Sequence, residues 1–167
     1  EVKDLATEFK TRDGIVHAVN GVSFELHEGE TLGIVGESAC GKTVTVLSIL
    51  GLIPNPPGRV VSGTAHYLGK DLLKMSDEEI RFIRGAQISM VFQDPMTSFN
   101  PVLTIGEQVA ESLRWHRGLR RQAARAEAVR LLDEVGLPDA AVRAGEYPHR
   151  LSGGMRQRAL LATALAC

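Results

Sequence analysis

Gly36, Gly41, Lys42 and Thr43 stand in the spacing G-x-x-x-x-G-K-T within the stretch Gly36-Glu-Ser-Ala-Cys-Gly-Lys-Thr43. That spacing suits one chemical task, the enclosure of a nucleoside triphosphate. Backbone N–H groups of Gly36, Glu37, Ser38, Ala39, Cys40 and Gly41 would form a concave anion site. A helix starting near Lys42 would add the positive end of its dipole. Lys42 is then the residue to reach the β and γ oxygens, and the Thr43 hydroxyl the one to ligate Mg²⁺. The flanks support the reading. Thr31–Val35 is an apolar run predicted as a buried strand, and Val44–Leu50 is predicted as an apolar helix.

A second constellation lies near the far end, Leu151-Ser-Gly-Gly-Met-Arg-Gln-Arg158, followed by a helical run from Ala159 to Ala166. Ser152 is placed to cap that helix. A cap followed by Gly153 and Gly154 lets backbone come very close to an anion at a helix N-terminus, so this is a second phosphate-recognition element. One nucleotide does not need two such loops from one chain. The economical arrangement is a pair of subunits, each lending its second loop to the nucleotide held by the other's first.

The elements that must carry these loops are partly legible. Val22, Phe24 and Leu26 alternate with Ser23 and Glu25, which predicts a half-buried strand and an antiparallel β start, with a loop over residues 10–17. The proline- and glycine-rich stretch 51–59 reads as a loop leading to a strand around Val60–Leu68, and Gln87–Phe92 reads as another buried strand. Ser76 with Glu79, and Thr104 with Glu107, have the spacing of capping boxes. They open a short helix closed by Gly85 and a longer one through about His116. A third helix, Arg121–Val135, is stopped by Gly136 and Pro138. The arginines from Arg114 to Arg130 read as a solvated helix face.

Composition narrows the field. The chain has 167 residues, 44% hydrophobic and 23% charged, with a net charge of −1, enough for one domain with a sizeable core. No long-range positive field draws it to nucleic acid. No signal pattern and no membrane-spanning apolar run stands out. Cys40 and Cys167 are too few for a disulfide framework, and a reducing cytoplasm fits best. His17, His27, His66, His116 and His149 read as surface or structural histidines.

Together these residues resemble the ATP-binding subunits of ABC transporters over essentially the whole chain, with Gly36–Thr43 similar to Walker A and Leu151–Gln157 to the ABC signature. The resemblance implies roles that spacing alone does not give. The run from Val91 to Pro101 is similar to the Q-loop, so Gln93 would contact Mg²⁺ and the attacking water and follow the membrane partner. Gln157 joins Ser152, Gly153 and Gly154 as a nucleotide contact. Phe9 stands where the family places the aromatic that stacks on adenine, a position an ordinary core phenylalanine would also fill. Ala39 stands where the family usually has glycine. If the backbone there needs a positive φ, its Cβ costs on the order of 1 kcal/mol. The wording around Gln93–Thr97 and Tyr147–Arg158 is most similar to the dipeptide and oligopeptide (peptide/nickel) importer subgroup.

The fold expected is α/β, a P-loop NTPase of ABC type with an antiparallel β start and an inserted helical subdomain, truncated before the Walker B strand. Residues 1–92 would form the β start and P-loop core, 93–150 the Q-loop and helical subdomain, and 151–167 the signature motif and its helix. The resemblance implies an ATPase that binds ATP and Mg²⁺ and energises peptide import. Its partners would be transmembrane permease subunits, a second ATPase subunit like or unlike itself and, indirectly, a peptide-binding protein, with no nucleic acid. It would sit peripherally on the cytoplasmic face of the cell membrane. The alternatives are a soluble ABC-type ATPase uncoupled from transport, or, for this stretch taken alone, a nucleotide-binding piece without catalysis. A P-loop kinase or GTPase leaves Leu151–Arg158 unexplained.

Overall fold

The computed structural model describes residues 1–92 and 98–167, which fold as two compact units, Glu1–Ile80 and Arg81–Cys167. The first unit is built on an antiparallel sheet. Strand β1 (Val2–Thr11) is flanked by β2 (Gly14–Phe24) on one side and β3 (Gly58–Tyr67) on the other, with the short β4 (Lys70–Asp71) at the edge. β1 and β2 meet through the turn at Arg12 and Asp13, with Thr7 opposite Val19 and Phe9 opposite Val16. Residues 10–17, expected as a loop, are therefore mostly hairpin.

Strand β1 buries Val2, Leu5 and Thr7. Val2 and Leu5 are three apart, an odd spacing that would put them on opposite faces of a regular strand. A bulge resolves this: Asp4 has φ 49, and the pairing of β1 slips between Val2 and Leu5. Gly63 (φ 101) on β3 faces that bulge, where a Cβ would stand 2.6 Å from Leu5 Cα and 2.7 Å from Asp4 O. Glycine is needed there because backbone, which cannot step aside, fills the space.

Helix α1 (Lys42–Ile49) docks on this sheet through a buried hydroxyl pair. Thr7 Oγ1 lies 2.7 Å from Ser48 Oγ, and Ser48 Oγ donates to Val44 O at 2.7 Å, so the shared proton comes from Thr7. The capping box at the start of α2 (Asp77–Ile83) forms as expected. Ser76 N–H and Oγ donate to Glu79 Oε2 at 2.9 and 2.8 Å, while Glu79 N–H donates back to Ser76 Oγ at 3.3 Å.

The second unit is helical: α3 (Ile105–Arg117), α4 (Arg121–Glu134), α5 (Ala140–Arg143) and α6 (Gly153–Leu165). Its core is lined by Ile105, Val109 and Leu113 from α3 and Leu132 from α4. Alanines 124 and 128 on α4, and 159 and 162 on α6, are fully buried. Small side chains at i, i+4 and i, i+3 let these helices approach closely. At the start of α3 only the hydroxyl half of the second capping box forms, with Glu107 N–H donating to Thr104 Oγ1 at 3.4 Å. The Glu107 carboxylate turns to Arg125, 2.8 Å away, with Arg114 and Arg121 at 3.8 and 3.9 Å. The arginine face is thus exposed as expected, but ordered around Glu107 and Glu127.

Two expected strands are absent. Thr31–Val35 joins no ladder, with Val35 91% exposed, and Gln87–Phe92 contributes one isolated bridge, Ile88 to Arg84. β-propensity yields a strand only when a neighbouring backbone accepts its hydrogen bonds. Among the described residues no strand lies beside either run. The antiparallel β start and the helical subdomain are otherwise as anticipated.

The buried hydroxyl pair predicts that Ser48→Ala destabilises the first unit by about 1–2 kcal/mol, because Thr7 keeps a buried donor without its acceptor. Urea unfolding of Ser48→Ala, Thr7→Val and the double variant checks this, and the double should cost less than the sum of the singles. The Arg125 hydrogen bond, helped by the charges of Arg121 and Arg114, outweighs burial and holds the Glu107 carboxyl below its ordinary value of 4.5. A carboxylate with a lowered folded-state pKa stabilises fully above the ordinary value, and that contribution fades as pH falls through the lower one. Glu107→Gln should therefore show a lower urea midpoint than the parent at pH 7, with the gap narrowing as pH is taken below 4. A gap independent of pH would assign Glu107 a role other than its charge.

Candidate functional site

The glycine-rich loop is shaped by positive-φ residues and by one ammonium. Ala39 has φ 62, and Gly41, the N-cap of α1, has φ 93. Both are left-handed, the conformation in which a Cβ meets the following backbone. A Cβ on Gly41 would in addition run into Ala18 O on β2. Residue 41 must therefore be glycine on two counts, and the helix start is held directly against the sheet. Ala39 takes the positive φ without that exemption, so the strain anticipated for it is present. At the other end of the loop, a Cβ on Gly36 would lie 2.6 Å from Cys40 Sγ.

Lys42 folds back across this loop. Its Nζ donates to Gly36 O at 2.8 Å and Glu37 O at 2.6 Å, with Cys40 Sγ 3.4 Å away. An ammonium has three donors. Two are spent on strong carbonyl acceptors that tie its position to the loop, and the third faces a thiol, a weak acceptor. The first turn of α1 is secured by Thr45, whose N–H and Oγ1 both donate to Gly41 O, at 2.8 and 2.9 Å. Thr43 is exposed at the start of the helix. Ser38 lies in the turn before Ala39 and is exposed, as are Glu37 and Cys40.

The second motif lies in the helical unit. Ser152 (φ −66, ψ 164) is the N-cap of α6, accepting from Met155 N–H at 3.4 Å. Gly153 and Gly154 form the first turn of the helix that Ser152 caps, as expected. Both are exposed, and a Cβ on either would meet nothing within 4 Å. Gln157 is exposed one turn further on. Leu151, 3% exposed, anchors the segment in the core.

The remaining candidates are placed as follows. Phe9, half-buried on β1, packs against Gly58, where a Cβ would stand 2.7 Å from Phe9 Cε1. Gln93 lies outside the described residues. His149 stacks on Tyr147 with ring centroids 5.8 Å apart, His17 Nδ1 lies 3.1 Å from Glu8 Oε1, and His116 abuts Gly85. Among the described residues no group of three His, Cys, Asp or Glu could hold a metal ion. Sequence reasoning missed Ala18, whose carbonyl shapes the helix start through backbone alone and leaves no trace in residue type. It also missed the backward reach of Arg156 and Arg158, which donate to Pro148 O and Gly136 O.

The geometry can be set beside known proteins. The fold is similar to the ATP-binding cassette MJ0796, solved as a dimer in a post-hydrolysis state bound to ADP and Pi, with a TM-score of 0.87 and 29% identity over 99% of this chain and 68% of that one. The dipeptide transport ATP-binding protein DppD of Bacillus subtilis is 52% identical over 166 residues, 99% of this chain and 50% of its own. The oligopeptide transport ATP-binding protein OppD of Haemophilus influenzae is 50% identical over 167 residues, 100% of this chain and 51% of its own. The chain spans about half the length of the curated relatives it matches. The family model for ABC transporters matches residues 19–167, a span that takes in both glycine loops and the helices between them, so the chain belongs to the ABC transporter family.

Proposed function

We propose that this chain is the ATP-binding part of an ATPase subunit that energises peptide import. The observation that carries the reading is Lys42, held by Gly36 O and Glu37 O in the middle of a loop that ends in a left-handed glycine and a helix N-terminus. Lys42 would keep its two carbonyl bonds and exchange the weak thiol contact for a phosphate oxygen, a far stronger acceptor for a cation. The loop amides and the α1 dipole supply the remaining attraction. Bound Mg²⁺ would polarise the phosphates. Since a magnesium ion takes few protein ligands beside phosphate and water, the Thr43 hydroxyl fits the available donor set, with Gln93 as a second candidate ligand that also orients the attacking water. Phe9 is proposed to stack on the adenine.

In this reading Ser152, Gly153, Gly154 and Gln157 complete the site of a second ATPase subunit. Two glycines open to solvent at a helix start support it, and so does the dimeric state of the cassette with a TM-score of 0.87. Residues 1–92 would act as the nucleotide-binding core, 93–150 as the relay toward membrane partners and 151–167 as the signature element. No helix among the described residues is long and apolar enough to cross a membrane. Transport would run through separate permease subunits, with this subunit peripheral on the cytoplasmic face and a peptide-binding protein upstream, as the similarity to peptide-transport ATP-binding proteins supports. The peptide as cargo follows the names of DppD and OppD, half of whose length this chain matches.

Lys42→Ala should abolish ATP binding by the full-length protein, and unchanged affinity for a fluorescent ATP analogue would remove the basis of this assignment. Ala39→Gly should raise the urea midpoint of the protein, because the left-handed alanine carries about 1 kcal/mol of strain in the folded loop. An equal or lower midpoint would show that the loop accepts alanine at no cost.

A further inference from the structure

Two guanidinium groups of helix α6, one half-buried and one exposed, reach back along the chain to backbone carbonyls. Arg156 Nη1 donates to Pro148 O at 3.2 Å, and Arg158 Nη1 donates to Gly136 O. One carbonyl belongs to the turn directly before the glycine loop, the other to the end of α4. Pro148 opens the short 3₁₀ turn Pro148–Arg150, directly before Leu151 and Ser152. Gly136 ends α4 with φ 74. A Cβ on Gly136 would stand 2.7 Å from Arg158 Nη1, so the residue that terminates one helix also leaves room for the bracket from another. Gly153 and Gly154 have no packing of their own, since nothing lies within 4 Å of where their Cβ atoms would be. Their placement is inherited from Leu151, from the Ser152 cap and from these two arginines.

We propose that Arg156 and Arg158 are positioning residues for the Ser152–Gly154 loop, brackets that hold the first-turn amides of α6 aimed at one point so that a phosphate brought by a second subunit meets a preset anion site. The inference rests on the reading of that loop as a phosphate-recognition element. Neither arginine touches the nucleotide in this arrangement. A planar guanidinium with five donors in a rigid fork can hold a carbonyl from a fixed direction. Lysine keeps the charge but presents a single flexible ammonium, so Arg→Lys separates direction from charge.

The test uses the complete transport complex with its full-length subunits. Turnover of Mg-ATP and KM for ATP are measured for Arg158→Met, Arg158→Lys, Arg156→Met and Gly154→Asp, with thermal melting of each. The expected result for Arg158→Met is a fall in kcat of at least tenfold with KM within twofold, because the first loop still binds nucleotide. Arg156→Met should fall in the same direction, and Arg158→Lys should recover part of the loss at an unchanged melting temperature. Unchanged kcat in both methionine variants would overturn the proposal. So would full activity in Arg158→Lys beside an Arg158→Met that merely melts, since charge and fold would then be all that matters. Gly154→Asp places a carboxylate where the phosphate is expected. If it blocks turnover while the arginine variants do not, only the positioning role falls. If it leaves turnover intact, the loop is not a phosphate element and both readings fall.

Discussion

A lysine bonded to two carbonyls of its own loop is the constraint on which the first unit turns. Carbonyl oxygens of Gly36 and Glu37 point inward because the Lys42 ammonium attracts them, and a chain whose carbonyls point one way turns its N–H groups the other. The same bonds tie the start of α1 to the end of the segment before it. Ala18 O closes the third side, pressing on the Cα of Gly41 so tightly that no side chain fits. The loop is thus held by short polar contacts around the Lys42 ammonium.

The helical unit is held by different means. Its ion pairs are numerous but largely exposed, and exposed pairs contribute little each. Glu107 with three arginines fixes the approach of α3 and α4 more than it stabilises the fold. Stability comes from close helix contact along the alanine faces of α4 and α6 and from the leucine and isoleucine core. Gly106 illustrates the tolerance: a Cβ there would lie 2.8 Å from Ala144 O, to which the Gly106 N–H donates at 2.8 Å.

What could be read from the sequence follows the range of the interaction responsible. The Ser76–Glu79 box is local, and both halves of it form. At Thr104–Glu107 the local rule gave the hydroxyl cap, but Arg125, eighteen residues away, took the carboxylate. Ladder pairing is wholly non-local. The apolar runs Thr31–Val35 and Gln87–Phe92 carry strand-like composition without strand neighbours, whereas β3 finds β1 and forms as predicted. The bulge at Asp4 leaves no local signal, because the glycine that accommodates it, Gly63, lies on another strand. At α6 intrinsic propensity disfavours two glycines in a helix. Yet a first turn anchored by a serine cap and a buried leucine tolerates them.

In the proposed reading the two glycine loops answer one chemical problem in opposite geometries, and the difference bears on assembly. The loop around Lys42 closes on itself: it carries left-handed residues and a cation bonded to two of its own carbonyls, features that in the proposed reading suit it to enclose an anion. The Ser152–Gly154 turn presents. Ser152 is extended, the glycines face open solvent, and no cation of the motif bonds toward them, since Arg156 and Arg158 are committed to carbonyls behind. Helix N-terminal amides and a partial dipole charge make a weak site for a free phosphate in water, where the dipole is worth 0.3–1 kcal/mol at an exposed position. The same amides gain strength when water is excluded by a second surface. A presenting loop is therefore of use mainly against an anion already held by another body, which is the physical argument behind the proposed second subunit.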